Sequence, residues 1–140
     1  MSIYTQQQHR WPVSRPTAAE QEATQRRGLY LRAENERAIW QLRKLLPFRW
    51  QVAIKKPAPI TTGMLYPLGI PAIHILLLEP STSPVARAAG DMLCSVAVDT
   101  GTGEVRFEAE AAPRLNDGNG GEYEPAPTCK NCLKAAQKLK

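Results

Sequence analysis

The 140-residue chain carries 18 Lys and Arg against 13 Asp and Glu, a formal net charge of +5, and 43% of its residues are hydrophobic. This composition predicts one folded domain and excludes an intrinsically disordered chain. The longest apolar run, residues 72–78, is far shorter than the roughly 18 residues that a membrane-spanning helix needs. Because the N-terminus also lacks the pattern of a signal peptide, we expect a cytoplasmic protein whose thiols stay reduced.

The charges are unevenly distributed along the chain. Residues 1–56 hold 11 Lys or Arg and 4 Asp or Glu, residues 57–127 hold 3 and 9, and residues 128–140 hold 4 and none. Basic ends around an acidic middle indicate either an anionic partner or attraction between parts of the same chain.

The first predicted elements are an extended arm over residues 1–16 and a long helix that follows it. Pro12 and Pro16 disfavour a helix in the arm. The capping-box pattern Thr17-Ala18-Ala19-Glu20 starts the helix, and Pro47 stops it after Leu46. Gly28 costs about 1 kcal/mol relative to Ala inside a helix, so a break into two helices is one alternative. We expect residues 17–140 to form a single domain after the arm.

The predicted helix has an apolar arc and a basic face. The arc consists of Leu31, Ala38, Ile39, Leu42, Leu45 and Leu46, with Asn35 among them. The basic face is either a solvated surface or a surface for phosphates. Residues 28, 31, 35, 38, 42 and 45 also match a short heptad seam, which raises the alternative of a homodimer through the 17–46 helix.

After Pro47 the hydrophobic period changes from that of a helix to that of strands. Alternation predicts a half-buried strand over residues 48–55, and the apolar run 72–78 predicts a central one. The other predictions along the chain are an irregular strand at 60–66, a helical turn at 83–90, a hairpin of strands 92–98 and 104–110, a mobile loop at 113–128, and a cysteine knuckle leading into a short helix at 129–140. Together they predict an α+β fold, with the N-terminal helix packed on a small, mostly antiparallel sheet.

The pair Cys129-Lys130-Asn131-Cys132 is the most informative motif in the sequence. Two thiolates two residues apart fold into a turn that can bind one metal ion. Cys94 and His74 can complete a closed Cys3His site for structural zinc, although His9 is an alternative fourth ligand. The competing interpretation is that His74 is a satisfied core histidine and Cys94 an inert buried thiol.

The order His74, Cys94 and Thr128-Cys129-Lys130-Asn131-Cys132-Leu133 resembles small zinc-ribbon-like proteins of bacteria and their phages. The resemblance covers these scattered positions and one short motif. It implies a structural zinc and a phage or mobile-element origin, and it implies no activity.

Enzymatic interpretations have little support in the sequence. Asp99-Thr100-Gly101 looks like the catalytic triplet of retroviral-type aspartic proteases, but the Thr-Gly-Thr-Gly repeat is more typical of a hairpin turn. A redox role for the Cys pair calls for a βαβ context that is missing before the motif. Phosphate-loop, dinucleotide and zinc-protease motifs are also absent from the sequence. We therefore expect no enzymatic activity.

The leading functional hypothesis is a zinc-stabilised binding protein that acts on nucleic acid or on a host nucleic-acid-processing protein. The predicted phosphate contacts are Arg26, Arg37, Arg43, Lys44, Lys130 and Lys134, with Trp11 or Trp50 stacking on bases if exposed. The alternative is a protein–protein inhibitor or immunity-type module that uses the acidic middle. A thiol or metal-dependent enzyme ranks third.

Overall fold

The computed structural model describes residues 16–56 and 71–139, which form an α+β fold and confirm the predicted class. The elements in chain order are α1 (Ala18–Leu45), β1 (Trp50–Lys55), β2 (His74–Leu77), β3 (Ala109–Ala111), β4 (Leu115–Asn116), β5 (Glu122–Tyr123) and α2 (Lys130–Gln137). Most of the predicted arm, with His9 and Trp11, and the predicted strand 60–66 lie outside the described residues. Neither described helix has the length and apolarity needed to cross a membrane.

The main sheet has three antiparallel strands in the order β2-β1-β3. Trp50 pairs with Leu77, whereas Ala53 pairs with His74 on one side and Ala111 on the other. All four residues of β2 are buried, as its continuous apolar run predicts. The core around the sheet combines residues from α1, β1, β2 and the segment around α2. The sheet is therefore the element against which both helices pack.

The outer edge of β2 is covered by two segments that are distant in sequence. The amide of Leu77 donates to the carbonyl of Asp91, and the amide of Leu93 donates to the carbonyl of Ile75, both at 2.9 Å. At the start of the strand, the amide of Ile73 donates to Thr128 Oγ1 at 2.9 Å. These bonds satisfy backbone groups that an open edge would leave unpaired.

Helix α1 runs without the break that Gly28 allowed as an alternative. Thr17 and Glu20 form the predicted capping box. Gly28 lies where the backbone carbonyl of Asp117 contacts the helix, so a Cβ at this position would overlap the carbonyl oxygen. The glycine therefore serves close packing of a loop on the helix, rather than an interruption of the helix.

The hairpin predicted at 92–110 is only partly correct. The turn exists: Asp99 donates its amide to the Glu104 carbonyl at 2.8 Å, and Val98 and Val105 form an isolated bridge. The predicted long strands are wrong, because the first segment folds back to pair Met92 with Ser95 and the second pairs with β1 only at Ala109–Ala111. Local alternation did not reveal that the two segments have other partners.

Two loop predictions also need correction. Residues 83–90 form a turn closed by backbone bonds between Ser81 and Arg87, without a helix. The segment predicted as a mobile loop, 113–128, contains the β4–β5 hairpin, which packs against α1. Its tip is held by Asp117, which is buried and accepts a hydrogen bond from Arg32 at 2.9 Å.

Candidate metal centre

The four predicted metal ligands come from three separate segments that meet at the edge of β2. His74 is the first residue of β2, and Cys94 lies in the turn that pairs Met92 with Ser95. Cys129 is the N-cap of α2, and Cys132 lies in the first turn of that helix. The fold therefore brings together residues that are up to 58 positions apart in the chain.

The local backbone explains why the Cys pair lies beside His74. The amides of Thr128 and Cys129 both donate to the carbonyl of Ile73 at 2.9 Å, and Thr128 Oγ1 accepts from the amide of Ile73. These three bonds place the N-terminus of α2 next to the first residue of β2. Thr128 is thus a positioning residue for the cysteine pair, as the Thr-Cys-x-x-Cys motif places it directly before Cys129.

The ligand atoms of the four residues all lie within 4.8 Å of one another. His74 Nδ1 lies 3.5 Å from Cys94 Sγ and 3.7 Å from Cys132 Sγ. In a tetrahedral zinc site, bond lengths of about 2.3 Å to sulfur and about 2.0–2.1 Å to nitrogen put a sulfur and a nitrogen ligand about 3.6 Å apart. The two measured distances match this edge of the tetrahedron, so the residues present fit a zinc ion.

Backbone amides support the sulfur atoms from outside the cluster. The amide of Ile75 donates to Cys132 Sγ, and the amide of Cys132 donates to Cys129 Sγ, each at 3.4 Å. Such bonds stabilise the negative charge of a thiolate and fix the orientation of its lone pairs. They hold two of the three sulfur ligands in place before any metal arrives.

Burial sets the protonation of the metal-free cluster. It raises the pKa of the Cys132 thiol well above its ordinary value, with smaller contributions from the neighbouring Cys94 and Cys129. Burial, and to a lesser degree Lys55, lowers the pKa of His74. The imidazole is therefore neutral and ready to bind a cation, whereas the thiols must release protons when a metal binds.

The donor set favours a metal site over a redox role for the Cys pair. Three thiolates and one imidazole suit Zn²⁺, and an ion bound by all four residues would have no open position for a substrate. A redox role needs an accessible thiol of lowered pKa. The buried Cys132, with its raised pKa, has the opposite properties.

The predicted phosphate-contacting residues lie on both helices. On α1, Arg26 pairs with Glu22 at 3.8 Å and Arg37 with Glu34 at 2.8 Å. Arg43 and Lys44 lie over the rings of Trp50 and Trp40, respectively. Lys130 and Lys134 are exposed on α2. Most of the cations on α1 are thus already engaged within the chain.

The expectation that Trp50 could stack on bases is wrong, because its side chain is only 4% exposed. It alternates with polar neighbours in β1, and that pattern placed it on the buried face. Trp40 is the exposed tryptophan of the described residues, at 56%. In the sequence, Trp40 falls opposite the apolar arc of α1, and this position could have predicted that its side chain is exposed.

Four of the six heptad positions of α1 contact other segments of the same chain, and the homodimer stays a prediction. Gly28 contacts Asp117, and Asn35 Oδ1 accepts a hydrogen bond from the amide of Ala126 at 2.7 Å. Leu42 and Leu45 pack against the core. The polar Asn therefore fixes the segment before the Cys motif, a role that helix periodicity alone could not distinguish from a dimer seam.

Comparison with known proteins gives one family and no individual relative. No curated protein is detectably similar to the chain. No solved structure is detectably similar to it either. The resemblance to zinc-ribbon-like proteins stays a prediction. A family model described as Domain of unknown function (DUF8336) matches residues 71–140, the half of the chain that contains all four candidate ligands. The chain therefore belongs to the DUF8336 family.

Proposed function

We propose that this chain is a non-enzymatic binding protein in which a zinc ion fastens α2 to the edge of β2 and so presents a basic helix to nucleic acid or to a nucleic-acid-processing protein. The observation that carries the proposal is the convergence of His74, Cys94, Cys129 and Cys132, whose ligand atoms lie within 4.8 Å of one another. Zinc of this type contributes to folding directly, since the bound ion links segments distant in sequence.

The arrangement supports a structural metal rather than a catalytic one. A catalytic zinc keeps a position for water or substrate, whereas four protein ligands close the coordination sphere. Three of the four ligands are buried and Cys94 is half-buried. When bound, zinc would supply a cross-link here, and the residues themselves supply the shape around it.

Charge supports an anionic partner at α2. This helix carries Lys130 and Lys134, has Lys138 as its C-cap, and contains no acidic residue. None of the three forms an ion pair with a carboxylate in residues 16–56 or 71–139, in contrast to Arg26 and Arg37 on α1. Unpaired lysines attract phosphates, because binding releases the counterions of the nucleic acid.

Zinc content tests the first half of the proposal. We expect about one zinc per chain by native mass spectrometry, and loss of zinc with a lower Tm in Cys94→Ser, Cys129→Ser and His74→Ala. His9→Ala is the matched control, since it removes the alternative imidazole. A His9 variant that loses zinc, together with a His74 variant that keeps it, would contradict the assignment of the fourth ligand.

Salt dependence tests the second half. Binding of a single-stranded oligonucleotide to the zinc-loaded protein should weaken steeply as salt increases, and the slope of log Kd against log salt should fall by about 0.7 for each phosphate contact removed. Lys130→Gln with Lys134→Gln should therefore reduce this slope by about 1.4. Arg26→Gln with Arg37→Gln, which removes the same charge from α1, should leave it nearly unchanged. If both double variants reduce the salt slope equally, binding depends only on net charge, and the assignment of the phosphate contacts to α2 is wrong.

A protein–protein inhibitor is the second candidate, and one observation favours it. Leu29, Tyr30 and Trp40 are between 50% and 61% exposed on α1. Exposed aromatic side chains are common anchors at protein interfaces. If the oligonucleotide does not bind, and Trp40→Ala abolishes binding of a protein partner without salt dependence, this candidate replaces the first.

A further inference from the structure

A surface pocket of about 330 Å³ lies beside the metal centre, between the turn at residues 84–87 and helix α2. One wall is formed by Asn131, Lys134 and Lys138, which are spaced three and four residues apart and therefore share one face of the helix. Arg87 lines the pocket from the turn. The opposite face of α2 buries Cys132 and Ala136, so the helix is held with its basic face towards the pocket.

The charge of this pocket is not balanced within the described part of the chain. Arg87, Lys134 and Lys138 line it, and no carboxylate does. None of the three cations pairs with an acidic residue in the segments that the structure describes, although eight ion pairs occur elsewhere in them. Like charges around one pocket repel each other, and a bound anion would offset this repulsion because it attracts all three cations.

The guanidinium of Arg87 also has unused donors. Its Nη1 donates to the carbonyl of Ala86 at 2.9 Å, which fixes the group on the turn. Its Nε is buried and has no hydrogen-bond partner among the described residues. The remaining N–H groups of a planar guanidinium favour an acceptor with several oxygen atoms.

The candidate metal ligands also line the pocket or position its walls. Cys94, the half-buried ligand, lines the pocket together with Leu93. The helix wall is positioned by Cys129 and Cys132 at its N-terminus. A zinc ion bound to these three cysteines would therefore fix both walls of the pocket at once.

We infer that this pocket is a binding site for a phosphate group, with Arg87, Lys134 and Lys138 as the charged donors and Asn131 as a polar one. Three cations and a pocket large enough for a tetrahedral oxyanion fit a phosphoryl group better than a single carboxylate, which carries less charge and fewer acceptor oxygens. The inference rests on the proposed function in that the phosphate belongs to the backbone of a bound nucleic acid and the zinc-held helix forms one wall.

The first test is titration of the zinc-loaded, full-length, ¹⁵N-labelled protein with inorganic phosphate at ionic strength held constant with chloride. We expect saturable shifts of the amides of residues 85–87, 131, 134 and 138. Arg87→Gln and Lys134→Gln should each weaken binding about tenfold, because a hydrogen bond to a charged group is worth about 1.5–3 kcal/mol and 1.4 kcal/mol corresponds to tenfold. Lys56→Gln, which removes one exposed charge from the sheet, should bind phosphate as the native chain does.

Several outcomes separate the inference from the proposed function. Zinc is measured in the same samples: a zinc-loaded protein whose phosphate shifts are unsaturable, or spread over all lysines, overturns the pocket and leaves the zinc cross-link standing. A protein without zinc overturns the proposed function. If Arg87→Gln does not fold, exposed Lys138→Gln carries the same prediction. If a single-stranded oligonucleotide displaces inorganic phosphate from the pocket, the natural ligand is a phosphate of a nucleic-acid backbone. If phosphate binds and the oligonucleotide does not displace it, the nucleic-acid backbone is excluded as the source of the phosphate.

Discussion

Replacing Gly28 by Ala places a methyl group where the Asp117 carbonyl contacts α1. Helix propensity predicts stabilisation, because Ala is favoured over Gly by about 1 kcal/mol in a helix interior. The structure predicts the opposite sign. An added Cβ would overlap the Asp117 carbonyl oxygen and lie 2.7 Å from the carbonyl carbon. Both atoms belong to the backbone, so no side chain can turn away to make room.

The magnitude follows from these opposing effects. Overpacking of a tightly fitted contact costs about 1–3 kcal/mol. We expect a value near the upper end, since the β4–β5 hairpin must move as a unit and would strain the Arg32–Asp117 pair and the 3.1 Å bond from Asn119 Nδ2 to the carbonyl of Gln25. After the gain in helix propensity, the net loss in the free energy of unfolding is about 2 kcal/mol.

Urea denaturation of the zinc-loaded protein measures this loss as a lower midpoint at an unchanged m-value. Thr24→Ala is the matched control, because Thr24 is exposed on the same helix and its replacement improves propensity without a contact. A Gly28→Ala protein that is as stable as Thr24→Ala, or more stable than the native chain, would show that the hairpin does not pack on α1 in this way.

Four further predictions concern the hairpin tip at Asp117, the release of zinc at low pH, the imidazole of His74 and the positioning residue Thr128. Asp117→Ala should lower the Tm and increase amide exchange at residues 119 and 121, because Asp117 accepts from both amides and from Arg32; unchanged exchange would argue against the anchored tip. Zinc should be released as the pH falls below neutrality, since protons compete for the thiolates and the imidazole. Because the pKa of His74 is lowered in the folded state, the metal-free protein keeps its full stability above about pH 6.5, where the imidazole is neutral in both states. It loses stability as the pH falls from there towards the folded-state pKa, because only the unfolded chain takes up the proton, and His74→Ala should remove that part of the pH dependence. Thr128→Val should weaken zinc binding about 10–100-fold, as expected for a group that positions a ligand, and an unchanged affinity would show that the motif holds the metal without it.

The sequence determined the parts of this protein whose signals are local. The capping box and the 3.6-residue period located α1, and alternating or continuous apolar residues located β1 and β2. The short spacing of Cys129 and Cys132 indicated a metal-binding turn. Because the chain has only one other cysteine and two histidines, the candidates for the remaining ligands were Cys94, His74 and His9.

The tertiary structure alone decided everything that depends on contacts between distant segments. The predicted strands at 92–98 and 104–110 found other partners, and the glycine-rich loop became a docked hairpin because Gly28 lets the Asp117 carbonyl approach α1. Likewise, only the meeting of three segments at β2 places His74 Nδ1 beside two sulfur atoms and Arg87 across a pocket from Lys134. Periodicity describes which face of an element is apolar, whereas the identity of the segment that covers that face depends on the packing of the whole chain.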